Sequence, residues 1–111
     1  MNVYDEMNNL CKAIKESHEY KMLVEAKGKL SGDASAESMV KDFLKQKQEI
    51  ELQQYQGQKP DDAKVKKMQD LYNVLQLNPV AADYIQAYIR FQMMIGDLSK
   101  TLGDTLKEAM E

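Results

Sequence analysis

The sequence contains few of the residues that define disulfide-rich, collagen-like and metal-binding proteins: one Cys, one His, two Pro, five Gly and no Trp among 111 residues. A single cysteine excludes a disulfide-stapled fold and fits a reducing compartment. The low Gly and Pro contents exclude a collagen-like chain, and 43% hydrophobic residues exclude an intrinsically disordered one. Length and composition therefore predict one domain over residues 1–111 with one modest core.

Neither sign of charge dominates, since 15 Lys and Arg stand against 18 Asp and Glu, for a net charge of −3. The densest basic group, at residues 64–67, contains three lysines but adjoins three aspartates. A nucleic-acid footprint needs a basic stripe that neutralises phosphates. We therefore expect no direct contact with nucleic acid.

The chain begins with acidic residues and contains no long apolar run. Asp5 and Glu6 stand where a secretory signal would have basic residues ahead of an apolar stretch. No run approaches the ~18 apolar residues that a membrane-spanning helix needs. We expect a cytoplasmic protein that does not enter a membrane.

Apolar residues recur at helical spacing, and the strict alternation of a half-buried strand is missing. Two amphipathic helices are predicted first, with a bend near Glu16 and Ser17, and Ser17 is a candidate N-cap. Cys11 lies in the first stripe, where a thiol typically acts as a small buried apolar group. The two stripes are Val3, Met7, Leu10, Cys11 and Ile14, then Tyr20, Leu23, Val24, Lys27 and Leu30.

Three breaks divide the remaining chain. Gly32 is expected to end the second helix in the left-handed conformation, and Asp33 to cap the next. Residues 57–60 have the sequence that most strongly predicts a turn within the chain. Asn78-Pro79 predicts a helix start, with Asn78 as the N-cap and Pro79 in the first turn. These breaks predict a long third helix, a fourth helix and a last helix reaching toward the C-terminus.

The predicted fold class is all-α, an antiparallel bundle of about five helices with long third and C-terminal helices, which we expect to be dimeric. The third helix has a core stripe up to Ile50 and then becomes rich in Gln over residues 46–58. Because few apolar side chains occur there, we expect this half to project past the core or to be covered by a partner.

The last helix is longer than its own domain. About 30 residues make a helix of roughly 45 Å, whereas a compact chain of this size is roughly 35 Å across. A soluble protein seldom leaves an apolar stripe in water, so we predict a homodimer or hetero-oligomer formed through this helix. A second stripe, with two Gly one heptad apart, lies on another side. The candidate interface residues are Ile89, Met93, Gly96, Leu98, Leu102, Gly103 and Leu106.

The residues predict no catalytic, metal or cofactor site. Cys11 and His18 are the only thiol and imidazole, and no third group is implied that would orient them. His18-Glu19 begins like a zinc-protease motif, but Met22 stands where the second histidine would be. Glycine-rich phosphate loops are missing too. We therefore expect no enzyme, no cofactor and no small-molecule substrate.

An ordered set of short segments covers nearly the whole chain and resembles the YlbF/YmcA family of small helical bacterial proteins. The resemblance implies long antiparallel helices, a commonly dimeric state and a cytoplasmic location. The segments are Asn2-Val3-Tyr4-Asp5, residues 13–17 with Glu19-Tyr20, Asp42-Phe43, Leu71-Tyr72 with Leu77-Asn78-Pro79, and Tyr84 to Phe91.

The resemblance also implies a function without catalysis. Studied members assemble with a relative and with a YaaT-type protein, and the complex resembles a specificity factor for the endoribonuclease RNase Y. Through mRNA processing they affect competence, biofilm formation and sporulation. Some members contribute cysteines to iron–sulfur clusters, but this chain has Cys11 alone, so no ligand residue is carried over.

Two hypotheses about function follow. In the first, the chain is a regulatory adaptor whose C-terminal helix and Gln-rich helical tip dock onto protein partners in an RNA-processing complex. In the second, it is a self-associating structural or scaffold protein with no role in RNA turnover. The two differ in what the outward faces of the helices must bind.

Overall fold

The computed structural model describes residues 1–110, which form five helices and no strand. The helices are α1 (Val3–Glu16), α2 (His18–Ser31), α3 (Ala34–Tyr55), α4 (Asp62–Leu75) and α5 (Pro79–Met110). The all-α class is confirmed. So are the lengths expected of the third and last helices, which have 22 and 32 residues.

Each helix begins at a side chain that caps it. In every case a side-chain oxygen accepts a hydrogen bond from a backbone N–H two or three residues further on, which satisfies a group that the helix itself leaves unpaired. Asn78 accepts from two such N–H groups, those of Val80 at 3.0 Å and Ala81 at 3.2 Å, directly ahead of Pro79. The capping residues are Asn2, Ser17, Asp33, Asp61 and Asn78.

The left-handed glycine lies after α3 and not after α2. Gly32 has φ −87° and ψ −2°, so the prediction of a left-handed residue there is wrong. The reason is the shortness of the connection, because Asp33 already caps α3 and its N–H still donates to the Leu30 carbonyl at 3.0 Å. Gly57 has φ +77° instead. It closes α3 while the Gln58 N–H donates back to the Gln53 carbonyl at 2.9 Å.

The core lies where α2, α3 and α4 meet the first half of α5. Leu75 and Ile85 are its largest fully buried side chains. The helices α2 and α5 pack as an antiparallel pair, and α3 and α4 form a second pair. The buried cluster comprises Leu30, Ala36, Val40, Phe43, Leu75, Ala81 and Ile85.

The buried face of α2 differs from the predicted one. Ala26 is buried, whereas Val24 is 52% exposed and Lys27 is exposed. The face of α5 that is buried along with it carries small side chains, Ala82 and Ala87 among them. Small side chains let two helices approach closely, so an alanine fits this interface and the larger valine is left outside it.

The Gln-rich half of α3 is partly covered by its own chain. The rings of Phe43 and Tyr72 lie 5.5 Å apart where α3 packs against α4. Ile50 is only 6% exposed. The predicted core stripe of α3 is therefore confirmed up to Ile50, and the expectation that the Gln-rich half projects past the core or is covered by a partner stays a prediction for the residues beyond it. Beyond that turn, Tyr55 is 91% exposed.

The molecule is flat and elongated. Its radius of gyration is 17.2 Å, against about 13 Å for a compact chain of this length. Its extents of 48 × 36 × 14 Å fit two layers of helices packed about 8–10 Å apart. The shape leaves the ends of the long helices outside the core.

Candidate interaction surface

The second half of α5 carries an apolar face that the rest of the chain leaves uncovered. Leu98 is half-buried at the edge of the packed region, and every residue from 99 to 110 is exposed. Leu102 is 60% exposed, Leu106 48% and Met110 80%. These four residues follow one another at i, i+4 spacing and share one side of the helix. We call them the distal stripe.

The other predicted interface residues of α5 lie outside the distal stripe. Ile89 packs against the core cluster, so its side chain is largely committed within the chain. Met93 is 65% exposed. Gly96 and Gly103 have open space where a Cβ would stand, with nothing within 4 Å. The structure thus brings Leu98, Leu102 and Leu106 onto one face and leaves Met93 and Gly96 on other sides of the helix.

The helix α1 presents a second uncovered apolar face, which the sequence analysis placed in the core. None of its residues is buried, and Val3, Met7 and Leu10 are 82%, 52% and 45% exposed. Cys11 is exposed as well, which corrects the expectation of a buried thiol. The side chain of Ile14 is half-buried, because it lies next to the junction with α2.

Ser17 accounts for the position of α1. It leaves the helical conformation, with φ −68° and ψ 152°, and caps both helices at once. Its hydroxyl donates to the Ile14 carbonyl at 2.6 Å and accepts from the Tyr20 N–H at 3.2 Å. The amphipathic pattern of α1 indicates that its apolar face is to be covered. The pattern carries no information on which surface covers it.

A shallow groove runs between α2 and the first half of α5, and charges of both signs line it. The lining contains basic Lys29 and Arg90, acidic Glu19, Glu25 and Asp83, and also His18, Ala26 and Ala87. Lys29 and Glu25 pair at 3.7 Å with both side chains well exposed. An exposed pair of this kind adds little to stability. The groove offers no concentrated charge to an ionic ligand.

Among residues 1–110 no group of three or more His, Cys, Asp or Glu is placed to hold a metal ion. The clearest electrostatic perturbation is at Tyr84, where burial raises the pKa of the phenol above its usual value of 10.0 and the neighbouring Tyr88 raises it further. The two rings lie 6.2 Å apart on one face of α5. Tyr84 packs against the core cluster, and this packing explains the burial that raises its pKa.

The fold and its exposed faces define a small all-helical protein whose distinctive surfaces are apolar helix faces. Comparison with known proteins identifies the family. Residues 3–107 match the family model described as "Control of competence regulator ComK, YlbF/YmcA", and the chain belongs to that family. The resemblance found in the sequence is thereby confirmed.

Similar proteins occur in several bacteria. A "UPF0342 protein" of Caldicellulosiruptor bescii is 34% identical over 96% of this chain and 89% of its own length. One of Caldicellulosiruptor saccharolyticus is 35% identical over 98% of this chain and 92% of its own. Another, of Desulfitobacterium hafniense, is 33% identical over 99% and 89%.

The family description supports a regulatory role, and a regulatory role implies protein partners. The family is one of regulators and is not known for an enzymatic activity. Across the part of the chain that the structure describes, no helix combines the length and apolarity needed to cross a bilayer.

Proposed function

We propose that this chain is a non-catalytic regulatory adaptor, a single cytoplasmic domain that acts through protein–protein contacts and modulates RNase Y-dependent mRNA processing. The observation that carries the proposal is the distal stripe. Leu102, Leu106 and Met110 remain 60%, 48% and 80% exposed on a helix that extends past the packed core. A contiguous exposed apolar face of this kind marks a site of protein interaction.

The family resemblance supplies the partners. They are family relatives, a YaaT-type protein and RNase Y, and the processes affected are competence, biofilm formation and sporulation. In this function the chain uses no cofactor and no small-molecule substrate. The partners, and not this chain, contact the nucleic acid. With Cys11 as its single thiol, the chain does not supply by itself the several ligands that an iron–sulfur cluster needs.

Two further exposed surfaces suit external partners. The tip between α3 and α4 carries Leu52 and Tyr55, which are 56% and 91% exposed. Met93, on another side of α5 from the distal stripe, is 65% exposed and has the flexible thioether that adapts to different binding surfaces. These residues are apolar groups held on rigid helices, which limits the entropy lost on binding.

The experiment is an affinity pull-down of the tagged chain from a lysate of the cell that encodes it, followed by mass spectrometry after a moderate salt wash. We expect RNase Y, a YaaT-type protein or family relatives to be retained. A Tyr55→Ala/Leu52→Ala variant should retain less of them, while a Gln54→Ala variant, altered between the same two positions, should behave as the wild type. In a deletion strain, the wild-type gene should restore the processing of RNase Y-dependent transcripts.

The second candidate function is a self-associating scaffold with no role in RNA turnover. It is favoured by the presence of two uncovered apolar faces, on α1 and on α5, in the same chain. If the pull-down recovers only the protein itself, and transcript processing is unchanged in the deletion strain, the scaffold function replaces the adaptor.

A further inference from the structure

A further apolar patch lies at the end of the molecule where α2 connects to α3 and α4 connects to α5. Leu77, between α4 and α5, is 83% exposed, and Val74, in the last turn of α4, is 52% exposed. They line a shallow depression together with other apolar side chains and with Asp33. We call its apolar members the end patch: Met39, Val74, Leu77, Pro79 and Val80.

The fold of the chain does not require a large apolar side chain at Leu77. The turn is held through the backbone, since the Leu77 N–H donates to the Val74 carbonyl at 3.1 Å, and a polar residue would allow the same bond. Beside it, Met39 and Val80 are half-buried against the core cluster and form a fixed floor. An exposed leucine on a fixed turn, next to an apolar floor, offers a partner an anchoring contact.

Aspartates surround the end patch. Asp33, which caps α3, belongs to the lining of the depression itself. Three more aspartates each stand one helical turn from a member of the end patch, and residues at that spacing are neighbours on the surface of a helix. No Lys or Arg stands at that spacing from any member. The three are Asp42 beside Met39, Asp70 beside Val74 and Asp83 beside Pro79.

The nearest basic side chains do not neutralise these aspartates. Lys29 and Lys41 each pair with a glutamate one turn earlier in their own helix, at 3.7 and 2.9 Å. Lys66 and Lys67 lie about two turns from the end patch along α4, and neither is in an ion pair with Asp70. The helix ends contribute little net charge, because two N-termini and two C-termini meet at this end. The end patch therefore has an acidic rim.

We propose that the end patch docks a short basic segment of a partner protein, in which one or two large apolar side chains are flanked by Lys or Arg. The apolar side chains cover Leu77 and Val74, and the flanking cations face the aspartates about one helical turn, or 5.4 Å, away. The proposal rests on the proposed function, because it requires that the chain acts through protein partners. It adds a docking surface separate from the distal stripe, together with the chemistry of what binds there.

The charge of the rim selects the class of partner. Phosphates of nucleic acids and anionic lipid headgroups are repelled by aspartates, and an acidic protein segment is repelled as well. A basic segment is attracted, and its cations gain most where they stand close to the carboxylates. Because the rim is exposed, this attraction is screened by salt. Binding at the end patch should therefore weaken as the salt concentration rises.

Titration of the isotope-labelled full chain with a synthetic peptide, followed by NMR, tests the proposal. The peptide is KAAQLAALQAAK, acetylated and amidated, in which two Leu and the terminal Lys share one side of a helix. We expect saturable shifts of the backbone amides around Leu77, and binding at least tenfold tighter than that of EAAQLAALQAAE. Equal binding of the two peptides, shifts confined to other surfaces, or no saturable binding would overturn the proposal.

Variants with matched controls identify the residues responsible. Leu77→Ala should weaken binding of the Lys peptide at least fivefold, whereas Leu102→Ala, altered at an exposed leucine of α5, should bind as the wild type does. Asp70→Lys should weaken it to a similar degree, and Asp97→Lys should leave it unchanged. Circular dichroism should show all four folded, because all four side chains are exposed. Equal losses in Asp70→Lys and Asp97→Lys would indicate general charge attraction and would refute the end patch.

The titration contains only this chain and a synthetic peptide, so its result does not depend on the proposed partners. If the peptide does not bind while the pull-down retains RNase Y, a YaaT-type protein or relatives, the end patch is refuted and the adaptor function stands. If the peptide binds at Leu77 and the pull-down retains none of them, the end patch stands as a docking site for basic segments and the adaptor function fails.

Discussion

The rings of Tyr20 and Phe91 contact each other with centroids 6.1 Å apart and planes tilted by 47°. Tyr20 lies in the first turn of α2 and Phe91 near the middle of α5, so the contact marks the end of the packed antiparallel pair. On one side of it the chain runs back through Ser17 into α1, and on the other α5 continues toward Met110. Both segments leave the pair with their apolar faces exposed, and this divides the molecule into a packed core and two segments whose apolar faces the chain leaves uncovered.

Leu75 and Leu77 provide a matched test of where the core ends. Leu75 is fully buried at 0% exposure, and Leu77 is 83% exposed two residues later. Leu75→Ala should lower the free energy of unfolding by about 2–5 kcal/mol through lost burial and the cavity that remains. Leu77→Ala should change it by less than about 0.5 kcal/mol. Urea unfolding monitored by circular dichroism measures both, and equal losses would contradict the placement of the core.

Gly57 and Gly28 should respond in opposite directions to the same substitution. Gly57→Ala forces a side chain into a φ of +77°, which we expect to destabilise the protein by about 1 kcal/mol. Gly28 lies inside α2 with nothing within 4 Å of an added Cβ. Gly28→Ala should therefore stabilise the protein by about 0.5–1 kcal/mol. Thermal unfolding of the two variants checks the signs, and stabilisation by Gly57→Ala would refute the left-handed turn.

The raised pKa of Tyr84 predicts how the free energy of unfolding changes at alkaline pH. Its pKa in the folded protein is raised above 10.0, so the folded state holds the phenolic proton more tightly than the unfolded chain does. The stability that results from this tighter proton binding is fully present below pH 10, and it is lost as the pH rises through the pKa of Tyr84 in the folded protein. Tyr84→Phe should show a shallower fall in the urea midpoint between pH 9 and 11 than the wild type. Tyr55→Phe, altered at a 91% exposed ring, should fall as the wild type does.

Helix existence and helix starts could be predicted from the sequence, because both depend on local chemistry. Capping oxygens at Asn2, Ser17, Asp33 and Asn78 act on N–H groups two or three residues away and need no knowledge of tertiary contacts. The end of α2 was predicted less well. The conformation of Gly32 depends on how soon the next helix starts, and glycine is compatible with either hand.

The buried faces could be predicted only where large side chains define them. The core stripe of α3 is confirmed up to Ile50. On α2 the predicted Leu30 is buried, but Ala26 is buried as well and Val24 is not, since closely packed helices need small side chains at the contact. The stripe of α1 was detected correctly and assigned to the wrong place. Periodicity shows that a face is apolar, and only the bend at Ser17 decides that the chain's own core does not receive it.

Gly96→Leu separates the two sides of α5. Within the chain nothing lies within 4 Å of a Cβ at Gly96, so the substitution should keep the fold and add about 0.8–1 kcal/mol of stability from helix propensity. Gly96 and Leu102 lie on different sides of the helix, so self-association through the distal stripe, as expected from the sequence, should persist in sedimentation. If the side that carries Met93 and Gly96 receives an external partner, the added isobutyl group blocks the close approach. Pull-downs should then retain less RNase Y, YaaT-type protein or relatives, whereas Gly96→Ala should retain nearly the wild-type amount. Unchanged assembly together with unchanged capture in Gly96→Leu would remove this side of α5 from the interface.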